Sequence, residues 1–274
     1  MEPSVFFPIS LGIAALYLAI SSFAGAFFHT GRRGLSVATD SLILVALPVH
    51  LAYLAVLGIT ARKLPLTSFF EALSVVAFFV TFLTSLLHVA FKIKAAAFFA
   101  FPLVFVGQLL ASVGSRVIYL DRDLFRSPLF GSHTLATSLG YAAFAYSMIL
   151  GLMYLHLFRE LKAKDLRRMY DRLPPLELLE RMNRVTLIAG FAFLTAGILL
   201  GSLLAVKVWG RLPLTDPKIL LSGVLWLLYV AGMLLRRLFR WSGRQLSYFS
   251  VSGFAVVVAF MVTVRLLLPT LHRF

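Results

Sequence analysis

Six histidines are the side chains in this 274-residue sequence best suited to hold a metal or pass a proton. His133 opens "HTLATSLGYAAFAYSMILGLMYL" (133–155), and His272 stands in the closing "TLHRF". Between them, "VWGRLPLTDPKI" (208–219) places Trp209 and Asp216 in a short connection that also holds two prolines and two cations. Two imidazoles at one level, with an indole and a carboxylate, could form a platform for a flat, iron-bearing macrocycle. Imidazole is a favoured axial ligand and an indole can stack on the ring. Lys207, Arg211 and Lys218 could meet its propionates. The same side chains would also serve as ordinary anchors at a membrane interface.

The other histidines are less distinctive. His50, in "ALPVHLAYLA", lies two residues after Pro48, where a neutral imidazole could bond a carbonyl that the proline frees or act as a ligand. His29 and His156 sit at helix ends among basic residues, where solvated or snorkelling roles suffice, and His88 falls in the inner part of a third span.

The elements that must position these residues follow from composition. At 60% hydrophobic and 14% charged residues, the sequence is that of an integral membrane protein. Apolar runs of about 20 residues, each enough to cross roughly 30 Å of hydrocarbon, recur with no soluble domain between them. They fall near 4–27, 40–60, 69–91, 96–114, 133–157, 185–206, 219–235 and 246–270. The expected fold is therefore all-α, a polytopic bundle of about eight transmembrane helices forming a single membrane domain over residues 1–274. The first run begins near residue 4 with no cation before it, which reads as a full span and not as a cleavable signal. With no cysteine, disulfides, thiolate metal ligands and thioether attachment of haem to this chain are excluded.

Counting Lys and Arg in alternate connections gives 16 on the side holding Arg32, Lys92, Arg167 and Arg236, and 10 on the other. The positive-inside rule then makes the first side cytoplasmic and puts both termini outside. The net charge of +15 fits this pattern and anionic lipid headgroups, and nucleic acid is not an expected partner. On this topology His133, His272, Trp209 and Asp216 share the outer level. The longest loop, 159–184, carries eight cations against five acids. Its Leu166, Tyr170 and Leu173 suggest a short surface helix, broken at Pro174-Pro175 before a second one. Gly140, Gly151, Gly201, Gly232 and Gly253 fall inside spans, where they allow helices to approach closely.

These motifs resemble the CcsA/HemX family of cytochrome c assembly membrane proteins across nearly the whole chain. "WGRLPLTDPKI" is similar to the family's tryptophan-rich loop, keeping Trp209, Gly210, Asp216, Pro217 and Lys218, with Pro213, Thr215 and Ile219 in place of two tryptophans and a Glu. "LPLTSFFEALSVVAF" (64–78), the helix opened by His133, and "SVSGFAVVVAFMVTVRLLLPTLHRF" (250–274) resemble further family segments. The resemblance implies haem b as cofactor, with His133 and His272 as iron ligands and Trp209 and Asp216 in the haem-facing loop. His50 stands where family members often carry a histidine.

The function so implied is haem handling in cytochrome c biogenesis: the outer face would hold haem for delivery to an apocytochrome c or a partner assembly subunit. No nucleophile–base arrangement argues for catalysis by the chain itself, which would be at most a subunit of a cytochrome c haem lyase or synthetase system. The alternative is a HemX-like regulatory or scaffolding protein with a degenerate haem loop. Both readings place it as a multi-pass protein of the plasma (inner) membrane.

Overall fold

The computed structural model describes residues 3–114, 123–164 and 172–266. Among these residues there is no strand, and eight helices are long and apolar enough to cross a membrane. They are α1 (Pro3–Thr30), α2 (Arg33–Ala61), α3 (Phe69–Phe91), α4 (Ala96–Gly114), α5 (Pro128–Ala163), α6 (Leu176–Trp209), α7 (Pro217–Phe239) and α8 (Gly243–Leu266). Helical spans are the expected solution in lipid, because they satisfy every backbone N–H and C=O internally. Side chains finish the ends. Ser68 and Glu71 form a capping box at the start of α3, and Asp216 with Pro217 starts α7. Four helices end on a cation held at positive φ, namely Arg62, Lys92, Lys164 and Arg240. A positive charge there complements the negative end of the helix dipole.

The helices pack as two groups of four. In the first, α1 lies against α2 and α4, and α3 lies against α4 and α2. In the second, α5 runs along α6 and also packs on α8, while α7 rests on α8 and only lightly on α6. α5 joins the groups by meeting α3 and α4 as well. It is the most buried of the eight and α7 the least. Phe144, Tyr146, Ile149, Leu150, Met153 and Leu157 of α5 are all closed off inside the bundle. Outside, Leu44, Ile59, Leu199, Leu203 and Leu238 stand exposed. Such a surface would aggregate in water, and it belongs against lipid.

Glycine explains how closely α5 meets its neighbours. A Cβ on Gly140 would sit 3.1 Å from the Leu194 backbone nitrogen of α6, and one on Gly151 would sit 3.1 Å from the Ser247 carbonyl of α8. Gly253 meets the Tyr229 hydroxyl at the same distance, and Gly232 lies under the Phe249 ring. Without a hydrophobic drive between helices in lipid, backbone approach of this kind holds them together.

Two boundaries differ from the sequence reading. α5 reaches Ala163 and α6 begins at Leu176, so the long connection is 164–175 and not 159–184. Strong helix formers on both sides, "RELKA" and "LELLERM", carry these helices past the apolar run. The second short helix expected after Pro174-Pro175 is the first turn of α6. Leu166 and Tyr170, proposed for a surface helix, lie outside the described residues. Arg172, near the end of this connection, donates from Nη1 to the carbonyls of Phe27 and Phe28 and so closes the end of α1.

Candidate functional site

His133 is the sixth residue of α5, near the face of the bundle where the chain begins. Its Nδ1 lies 2.8 Å from the Gly197 carbonyl of α6. A carbonyl only accepts, so Nδ1 carries the proton and Nε2 keeps its lone pair. The ring lies against Gly201, where a Cβ would come within 2.7 Å of the imidazole. Gly197 leaves similar room for Thr137, one turn along from His133. Two glycines one turn apart on α6 therefore form a slot that holds the ring and fixes its tautomer, the way a ligating histidine is usually oriented through its other nitrogen.

The connection 210–216 crosses the same face. Gly210, at φ 69°, ends α6 with its N–H on the Val206 carbonyl, and Trp209 is half-buried at the last helical position. Trp209 is eight residues beyond Gly201, about 12 Å along the axis at 1.5 Å per residue. Asp216 is buried, and its Oδ1 accepts from the N–H groups of Lys218 at 3.0 Å and Ile219 at 3.4 Å. That is an N-cap, with Pro217 at the first helical position. The cap brings Lys218 in close enough for its charge to act on the His133 ring. Lys207 and Arg211 are exposed. His272 lies outside the described residues.

His50 is elsewhere. It is fully buried in the first group of helices, and both ring nitrogens are occupied, neither by a helix carbonyl. Nδ1 is 2.6 Å from the Tyr17 hydroxyl of α1, and Nε2 is 2.9 Å from the Ser74 hydroxyl of α3. Ser74 gives its proton to Gln108 Oε1 of α4 at 2.9 Å, so it accepts from His50 Nε2–H, and Tyr17 donates to Nδ1. The chain continues from Gln108 Nε2 to Ser10 Oγ at 3.0 Å, from Ser10 to Ser112 at 2.9 Å, and from Ser112 to the Gln108 carbonyl at 2.8 Å. The series ties α1, α2, α3 and α4 together. In lipid, where water offers no substitute, polar side chains of this kind act as glue between helices.

A family model described as cytochrome C assembly protein matches residues 35–272. The chain belongs to the cytochrome c assembly protein family. Among curated relatives, the cytochrome c biogenesis protein CcsA of Synechococcus sp. (strain RCC307) is 34% identical over 103 residues, covering 36% of this chain and 33% of the relative. The protein of the same name from Prochlorococcus marinus (strain MIT 9515) is 33% identical over 98 residues, 36% of this chain and 31% of that protein. The match thus spans about a third of the length of these relatives.

In this assembly-family chain the sequence reading missed several polar side chains at membrane depth. Tyr17, Ser74 and Gln108, the partners of His50, are one example. Glu71, part of the family-like segment 64–78, is buried at the start of α3: its Oε2 accepts from Thr67 N at 2.7 Å, Thr67 Oγ1 at 2.9 Å and Ser68 N at 3.2 Å, while its buried Oε1 has no partner among the described residues. The S-x-x-E spacing of Ser68 and Glu71 is a readable signal for that cap. On the opposite face, Asp40 joins His88 Nε2 at 3.0 Å to Lys94 Nζ at 3.3 Å. His29 and His156 pack on Phe28, Phe98 and Phe99 near the end of α1.

Proposed function

We propose that this protein holds haem at the face bearing His133 and presents it to an apocytochrome c or to a partner subunit of cytochrome c assembly. The observation that carries the reading is the held tautomer of His133, whose Nδ1–H is spent on Gly197 while Nε2 stays available to iron. Membership of the cytochrome c assembly family supports it. In this reading His133 and His272 ligate the iron of haem b, and Trp209 offers an aromatic surface. Lys218, Lys207 and Arg211 meet the propionates. Asp216 acts at one remove, by capping α7 and so setting where Lys218 stands. The haem supplies the iron centre, and the protein supplies ligation, orientation and charge.

The distribution of Lys and Arg supports placing this face outside the cytoplasm, with both termini there and the chain in the plasma (inner) membrane. Attachment of haem to the apocytochrome needs no nucleophile from this chain, so it acts as a haem-presenting subunit and not as an enzyme by itself. The absorption spectrum of the purified protein tests the proposal. A bis-histidine Soret and alpha band is expected, lost in His133→Ala and in His272→Ala. Stoichiometric haem retained in the double variant would overturn the assignment, and a colourless wild type would favour a regulatory or scaffolding role.

A further inference from the structure

After Gly232 no residue of α7 is buried, so its last two turns lie at the edge of the bundle. The start of α6 faces them. Arg236 Nη2 lies 3.8 Å from Glu180 Oε1. Arg184, one turn further along α6, is close enough for its charge to oppose that of Arg236. The Arg236 Nε–H is buried and has no acceptor among the described residues. Arg240, which ends α7, is exposed. Glu180 also reaches toward α5 and α8, where its Oε2 and the Tyr154 hydroxyl both take the place a Cβ on Gly243 would need.

Arg236 thus shares a carboxylate that α5 and α8 also approach, with the charge of Arg184 close beside it, leaving an excess of positive charge and a donor unmet among the described residues. Deeper along the same helices, Val185, Ile188, Leu234 and Leu235 are exposed aliphatic side chains. A cationic head above an apolar track, at the edge of a membrane bundle, matches one molecule end to end. We propose that the edge formed by the start of α6 and the end of α7 binds an anionic phospholipid, with its phosphodiester at Arg184 and Arg236 and an acyl chain along Ile188 and Leu235. Free phosphate would answer the charge and leave the apolar track bare.

The test uses the full-length protein in neutral detergent, with native mass spectrometry to count retained lipid and thermal unfolding to read stabilisation. Phosphatidylglycerol is expected to be retained and to raise the midpoint, and phosphatidylcholine and inorganic phosphate are expected to do neither. Arg184→Gln with Arg236→Gln should weaken phosphatidylglycerol binding about 30-fold, since each cation near an anionic headgroup adds to binding. Arg33→Gln with Lys162→Gln, exposed cations elsewhere on that face, should change nothing. Glu180→Gln, which removes the opposing charge, should tighten binding. Equal retention of phosphatidylcholine, stabilisation by phosphate alone, or undiminished binding in a folded double-arginine variant would each overturn the proposal. Should that variant fail to fold, unchanged or weaker binding in Glu180→Gln overturns it as well.

Discussion

His133 and Gly201 occupy each other's space: the imidazole of α5 lies where a side chain on Gly201 of α6 would have to go. Gly201→Ala should therefore push the ring off the Gly197 carbonyl, because the neighbouring atoms at 2.7 Å cannot accept a methyl group without moving. Haem content is expected to fall with little change in the thermal midpoint, since one hydrogen bond is worth only about 1 kcal/mol. Normal haem content in Gly201→Ala, read from the Soret band, would show that the slot has no part in ligation.

His50→Phe separates two roles for the second buried histidine. It takes the imidazole acceptor from the Tyr17 hydroxyl and the donor from Ser74 inside the bundle, at about 1–3 kcal/mol for a buried group left unsatisfied. Thermal unfolding should show a clearly lowered midpoint, and Tyr17→Phe should reproduce part of the loss. Should His50→Phe lose haem while its midpoint stays at the wild-type value, His50 is a ligand and not a fastening between helices.

Asp216 is expected to matter through its cap. Asp216→Ala should cost about 0.5–2 kcal/mol, and Asp216→Ser, which keeps an oxygen at the cap, should recover most of it. Haem content should follow stability across the pair. If the serine variant is as stable as wild type yet colourless, the carboxylate touches the haem or its partner directly.

Gly140→Leu should separate α5 from α6, as the Leu194 nitrogen 3.1 Å from the Cβ position belongs to rigid backbone. The expected result is poor membrane accumulation of the protein or a strongly lowered midpoint. Gly223→Leu on α7, where nothing lies within 4 Å, should be silent in the same assay.

The number of spans was legible because crossing a bilayer demands about 20 apolar residues and little else produces them. The ends of α5 and α6 were not, since Glu, Arg, Lys and Leu propagate a helix beyond the hydrocarbon as readily as within it. Asp216 was assigned to a haem-facing loop by resemblance, although Asp-Pro ahead of an apolar run is itself a helix-start signal. The partners of His50 could not be found from spacing. Tyr17, Ser74 and Gln108 sit on three other helices, and only packing decides which polar residues of separate spans meet. His133 was legible as a candidate, whereas its tautomer depended on a backbone carbonyl 64 residues away.

α5 is a wall common to both groups of helices, in contact with α3 and α4 on one side and α6 and α8 on the other. A party wall cannot lean without disturbing both rooms. A change in the tilt of α5 would therefore be felt by neighbours in both groups of helices.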